Sequence, residues 1–185
     1  TFHKSMKYAA GPRKELGIRT IFNILGPLTN PAEASGQVLG VYNRDLTEPI
    51  ANVLANLNVE RALVIHGLDG LDEITTTSFT KISELKNGRV VTYELNPRKF
   101  NLSIASKKDL EGGDAEENAT IINLIFEGVK GPERDIVLIN AAAALYVGKI
   151  ADSFNEGVEI SKEIIDSGKA MAKLCELRDY SNSFA

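Results

Sequence analysis

The stretch that most constrains the fold is Arg61-Ala62-Leu63-Val64-Ile65-His66-Gly67, a continuous apolar run closed by glycine. A strand with one wet face alternates apolar and polar residues, so unbroken apolarity over this length points to a strand buried on both faces, as in a parallel sheet. What precedes it fits a crossover. Gln37 to Tyr42 reads as a short strand. Thr47 to Leu57 reads as a helix, with Thr47 as N-cap, Pro49 in the first turn, and Ile50, Val53, Leu54 and Leu57 on one stripe. Strand, helix and strand in this order make a βαβ unit.

Downstream, Lys81 to Leu85 and Val90 to Leu95 are joined through Asn87-Gly88, the pairing expected of a tight hairpin on the same sheet. Asp114 with Glu117 three residues on forms a capping-box pattern that launches a helix to about Gly128. Pro132 to Val147, Ser153 to Asp166 and Lys169 to Arg178 read as three more helices, punctuated by Gly148 and Gly168. Upstream, Thr1 to Gly17 is helical and mixed in polarity, and Gly26-Pro27-Leu28-Thr29-Asn30-Pro31 reads as a shaped loop. The expected architecture is a single α/β domain over 1–185, with a central largely parallel sheet flanked by helices and a helical C-terminal half.

Composition narrows the function classes. A folded body of 185 residues hides roughly 70% of its unfolded surface and needs neither disulfide nor metal staples. Lys+Arg 21 against Asp+Glu 25 gives a net charge of −4 with no basic cluster, which argues against a broad grip on nucleic acid or an anionic membrane. No run approaches the roughly 18 apolar residues of a membrane span. The one cysteine, Cys175, excludes an internal disulfide and a Cys-based zinc cluster and fits a reducing cytoplasm. Among Met171, Leu174 and Leu177 it is expected in the core.

Two stretches could carry chemistry. His66-Gly67-Leu68-Asp69-Gly70-Leu71-Asp72-Glu73-Ile74 follows the buried strand, and ligands of open α/β sheets bind outside the carboxyl ends of strands. The adjacent carboxylates of Asp72 and Glu73 repel each other unless a cation lies nearby. Mg²⁺ characteristically takes one or two carboxylates, completed by water and substrate phosphates. A solvated acidic turn capping Ile74 explains the same residues. Arg13, in Gly11-Pro12-Arg13-Lys14-Glu15, offers a planar fork that matches a carboxylate, and an exposed helical arginine paired with Glu15 is the alternative. His66 is expected to be a satisfied structural imidazole, and Ala141 to Ala144 a helix-packing surface. The sequence holds no P-loop and no GxGxxG.

The run from Arg13-Lys14-Glu15-Leu16-Gly17-Ile18-Arg19-Thr20 through Gly26-Pro27-Leu28-Thr29-Asn30-Pro31 closely resembles the signature stretch of the anthranilate phosphoribosyltransferase family. His66 to Ile74 resembles that family's acidic metal motif at a fitting distance, and the resemblance covers essentially the whole chain. It implies a fold of nucleoside phosphorylase/phosphoribosyltransferase type. It also implies transfer of the phosphoribosyl group of phosphoribosyl pyrophosphate to anthranilate, with release of pyrophosphate, in tryptophan biosynthesis. By the family pattern, Asp72 and Glu73 hold Mg²⁺ on the pyrophosphate. Arg13 meets the anthranilate carboxylate, with His3, Gly26 and Pro27 lining its path. The resemblance assigns no catalytic acid or base, and an aromatic amine already carries a nucleophilic lone pair.

The family's Gly-rich phosphate loop, its Lys-His-Gly-Asn segment and its N-terminal helical domain have no counterpart in this sequence and would precede Thr1. The resemblance therefore implies the C-terminal part of a catalytic domain, inactive alone, from a cytoplasmic enzyme that dimerises through helices upstream. A pyrimidine nucleoside phosphorylase, similar in fold, would need neither Arg13 beside Gly26-Pro27 nor the Asp72-Glu73 pair. A non-catalytic nucleic-acid-binding relative would need a basic surface, which a charge of −4 opposes.

Overall fold

A computed structural model describes residues 22–184 together with Tyr8, Gly11 and Glu15. Helix α1 (Phe22–Leu28) leads into strand β1 (Gly36–Gly40), helix α2 (Thr47–Asn56) and strand β2 (Arg61–Gly67). Strands β3 (Thr80–Lys86) and β4 (Arg89–Leu95) follow. Helices α3 (Ala115–Phe126), α4 (Pro132–Val147), α5 (Phe154–Asp166) and α6 (Lys169–Asn182) complete the described chain.

The sheet runs β1-β2-β3-β4. β1 and β2 are parallel, with Gly36 opposite Arg61, and α2 makes the crossover. β2–β3 and β3–β4 are antiparallel, the latter closing at Lys86 opposite Arg89. Among the described residues the sheet is therefore mixed, with one parallel ladder and two antiparallel ones, where a largely parallel sheet was expected. The chain over 68–79 returns β3 antiparallel to β2, and the Asn87-Gly88 hairpin returns β4 on β3. Both turn residues sit at positive φ (52° and 72°), which matches the twist of paired antiparallel strands.

β2 is buried on both faces, as its composition requires. Leu63 and Ile65 point to a core shared with Ile82, Ile74, Leu138, Ile139 and Ala142. Ala62 and Val64 point the other way, onto Ile50, Ala51 and Leu54 of α2. This is the period-2 alternation of a strand, with helices in place of water on both sides. Ala142 abuts Gly157 of α5, the close helix approach expected of the alanine run.

Four local expectations are corrected. Gly26-Pro27-Leu28 lies in α1 rather than in a loop. The Leu25 carbonyl accepts from the Thr29 amide at 3.0 Å and its hydroxyl at 2.8 Å, so the turn closes beyond Pro27 without the missing N–H. Thr47 does not cap α2. A 3₁₀ turn over Arg44–Leu46 precedes it, and the Thr47 hydroxyl donates back to the Arg44 carbonyl. The side-chain cap falls upstream, where Asn43 accepts from the Asp45 amide at 2.9 Å. The buried stripe of α2 is Ile50, Ala51 and Leu54, leaving Val53 and Leu57 exposed, because the sheet lies beneath a face rotated from the expected one. Cys175 is half-buried rather than core, since α6 extends to Asn182 as an outer layer with no fully buried residue.

Candidate functional site

β2 ends at His66-Gly67, and the chain turns through 68–79 before entering β3. His66 is buried, with Nδ1 2.7 Å from the Val41 carbonyl oxygen. That oxygen only accepts, so this ring nitrogen carries the proton, and the imidazole ties the end of β1 to β2. The structural role expected for His66 holds.

The loop after Gly67 is closed by its own backbone. The Gly67 amide donates to the Leu71 carbonyl at 2.8 Å and the Gly70 amide to the Gly67 carbonyl at 2.9 Å. Asp69 is the internal fastener. Its carboxylate accepts from the Leu71 amide at 3.2 Å, from the Thr75 hydroxyl at 2.6 Å and from the Thr77 hydroxyl. Partial burial pushes this carboxyl up. The hydrogen bonds from Thr75, Thr77 and Leu71 outweigh it and hold the group below the ordinary aspartate range. The Lys107 ammonium donates to the Asp69 carbonyl at 2.9 Å, tying the loop to the 3₁₀ turn over Lys107–Leu110.

Asp72 and Glu73 behave differently. Both are exposed, and among the described residues neither carboxylate has a hydrogen bond or an ion pair. Their backbone is tightly placed. A Cβ on Gly40 would sit 1.7 Å from the Asp72 carbonyl oxygen, so only glycine at the end of β1 lets the acidic turn approach this closely. The next residue, Ile74, is fully buried. Its amide donates to Oδ1 of Asn140 on α4 at 3.0 Å, and its carbonyl accepts from Nδ2 at 2.8 Å.

Both carboxylates line a cavity of about 540 Å³ between this turn, the Lys107–Leu110 turn and helices α3 and α4, walled by Ile121, Ile125, Ile136 and Val137. Asp72 also lines a second cavity of about 260 Å³, which it shares with Pro27, Leu39 and Val41. The structure thus brings Pro27 and Asp72 to one place, with Gly26 exposed one residue before Pro27. Arg13 and His3 lie outside the described residues. Sequence reasoning missed Asn140, which sits 66 residues from its partner, and the fastening role of Asp69. The run Thr75-Thr76-Thr77-Ser78 was the available signal for the latter, since clustered hydroxyls beside an aspartate invite local hydrogen bonds.

Among the described residues no group of three or more His, Cys, Asp or Glu converges as a metal cage. The donor set offered by Asp72 and Glu73 is two exposed carboxylates with open positions around them. That suits Mg²⁺ shared with water and a substrate phosphate, and does not suit an ion held by protein alone.

Residues 1–171 match the model of the glycosyl transferase family, a/b domain. The chain is 66% identical over 183 residues to an anthranilate phosphoribosyltransferase of Acetivibrio thermocellus, covering 99% of this chain and 53% of that protein. It is 53% identical to the enzyme of the same name from Methanosarcina mazei, covering 99% and 49%. It spans about half the length of the curated relatives it matches. Among solved structures, anthranilate phosphoribosyltransferase from Thermus thermophilus superposes with a TM-score of 0.84 at 39% identity, over 92% of this chain and 50% of that one. The Saccharomyces cerevisiae enzyme in complex with PRPP and Mg superposes with a TM-score of 0.87 at 29% identity, over 98% and 52%.

Proposed function

We propose, from the premise that the chain belongs to the glycosyl transferase family with its a/b domain, that it is part of an anthranilate phosphoribosyltransferase. The reaction moves the phosphoribosyl group of phosphoribosyl pyrophosphate onto the amine of anthranilate and releases pyrophosphate, a step of tryptophan biosynthesis. The relatives that carry this name support the reading, as do the solved neighbours complexed with PRPP and Mg or with 4-fluoroanthranilate. On this reading the chain is the C-terminal part of the α/β catalytic domain of a longer, cytoplasmic, homodimeric protein.

One observation carries the assignment at the level of residues. Of the three acids in the strand-end loop, Asp69 is consumed by internal hydrogen bonds, while Asp72 and Glu73, with no partner among the described residues, line the cavity of about 540 Å³, and Asp72 lines the second as well. Mg²⁺, when bound, neutralises the pyrophosphate leaving group. Asp72 and Glu73 are the side chains that would hold it. Arg13 would pair its guanidinium with the anthranilate carboxylate, and His3, Gly26 and Pro27 would line the acceptor's path. An oxocarbenium-like ribosyl centre asks mainly for charge neutralisation and a placed acceptor, which these residue types supply.

Steady-state kinetics on the complete protein test the reading. Asp72→Asn combined with Glu73→Gln should raise the Mg²⁺ concentration needed for half-maximal rate more than it raises the KM for anthranilate. Arg13→Ala should raise the KM for anthranilate about ten- to a hundredfold, the worth of a charge-assisted bidentate contact, and spare that for phosphoribosyl pyrophosphate. An unchanged metal response in the first variant returns Asp72 and Glu73 to a solvated turn. Two KM values that move together in the second displace the acceptor site from Arg13.

A further inference from the structure

Among the described residues the two carboxylates have no partners to fix them, so their position is set by the backbone that carries them. That backbone belongs to neither helix nor strand. A buried peptide group outside regular structure must find hydrogen bonds elsewhere. At Ile74 one side chain supplies both. Asn140 accepts from the Ile74 amide at 3.0 Å and donates to the Ile74 carbonyl at 2.8 Å, reproducing the donor–acceptor face that a neighbouring strand would present. Its second amide proton goes to the Ile136 carbonyl one helical turn back at 2.9 Å, which fixes the side chain in its rotamer. The two peptides so held flank Ile74: its amide belongs to the link with Glu73, and its carbonyl to the link with Thr75. Two residues earlier, the Asp72 carbonyl is lodged against Gly40, where there is no room to slide.

We infer that Asn140 is a positioning residue for the metal carboxylates: by clamping the backbone amide and carbonyl of Ile74 to α4, it presents Asp72 and Glu73 with the spacing a divalent cation needs. The inference rests on the proposed role of those two acids. It adds a residue distant in sequence whose contribution is made wholly through the backbone. A helix anchor alone is a poor explanation, because an amide that merely packed α4 would not need to match both backbone polar groups of one loop residue.

The experiment uses the complete protein and Mn²⁺–pyrophosphate as probe, with bound metal read by water-proton relaxation enhancement, which requires no turnover. Asn140→Ala should weaken Mn²⁺–pyrophosphate binding about ten- to a hundredfold, the usual effect of removing an outer partner of a metal ligand. Circular dichroism establishes that each variant is folded before binding is read. Asn140→Asp has nearly the same shape and keeps the acceptor for the Ile74 amide. It loses the donor and should also weaken binding, although its added negative charge alone would strengthen it. Arg134→Met cuts a different tie of α4, to Gly128 and Asp166, and should lower the melting temperature while leaving Mn²⁺–pyrophosphate binding unchanged. If the Asp72→Asn, Glu73→Gln double variant loses the probe while both Asn140 variants retain it, the positioning role is wrong and the metal reading stands. If the double variant binds as the unaltered protein does, both fall together. A loss of binding in Arg134→Met equal to that in Asn140→Ala would reduce Asn140 to a general support of α4 and overturn the inference.

Discussion

Replacing Gly40 by alanine tests the closest backbone contact of the candidate site. The added methyl would lie 1.7 Å from the Asp72 carbonyl oxygen and 2.7 Å from its carbonyl carbon, whereas real Cβ contacts stay above 3.0 Å. The end of β1 and the acidic turn must therefore separate by at least 1.3 Å, from 1.7 to 3.0 Å. Neither side yields without loss. Moving the turn strains the paired Ile74–Asn140 hydrogen bonds and the Gly67–Leu71 closure. Moving β1 pulls Val41 from the His66 ring and from the Ile65 carbonyl. Overpacking of this kind costs about 1–3 kcal/mol, and a weakened hydrogen bond about 1 kcal/mol more. At about 2–4 °C per kcal/mol for a domain of this size, Gly40→Ala should melt about 5–15 °C lower. Thermal unfolding followed by circular dichroism measures this. Gly26→Ala is the control, because Gly26 is exposed in α1 with no described residue within 4 Å of an added Cβ, and alanine favours a helix. A Gly40→Ala melting temperature within about 1 °C of the unaltered protein would refute the contact, and with it the argument that β1 fixes the acidic turn.

Three further outcomes are expected. Asp69 has its folded-state titration lowered, so it stabilises the fold above the unfolded aspartate value near pH 4 and loses that contribution as pH falls through the folded value. Asp69→Asn should cost on the order of 1–3 kcal/mol at pH 7, and urea unfolding at a series of pH values should show its gap to the unaltered protein closing in acid. Arg134 is 4% exposed and donates to the Gly128 carbonyl at 2.9 Å and to Asp166 at 2.6 Å. Arg134→Met keeps the buried stem but orphans the carbonyl, and chemical denaturation should register a loss of about 1–3 kcal/mol. Asp114 accepts from the amides of Glu116 and Glu117, so Asp114→Ala should cost about 0.5–2 kcal/mol, and amide hydrogen exchange should locate the loss in the first turn of α3.

What could be read from the chain was what it encodes locally. Arg61 to Gly67 announced a doubly buried strand because apolarity on both faces needs no partner to be recognised, and the strand has those bounds. Asn87-Gly88 and the Asp114–Glu117 box were legible for the same reason, since a turn and a cap are settled within four residues. Thr47 looked like a cap by type, but Asn43 and a 3₁₀ turn upstream had already taken that role, a competition between neighbours that composition does not reveal. Gly26-Pro27 reads as the start of a shaped loop, and Thr29 supplies the bonds that carry the helix past Pro27. At the site, Asp72 and Glu73 were found by their adjacency, whereas Asn140 reaches its peptide only after the sheet and α4 have packed. Nothing within a local window distinguishes it from any other helical asparagine.

The strand order has a kinetic consequence. Because β1-β2-β3-β4 in space repeats the order of synthesis, each strand pairs with the one made just before it. The connecting segments span only 41–60, 68–79 and 87–88, and short closures cost little chain entropy and favour rapid assembly. The sheet can thus be built as the chain leaves the ribosome, before α4 exists to hold the acidic turn. Damage to β2 or β3 would then slow folding, while damage to α6, made after the sheet and with no fully buried residue, would hasten unfolding.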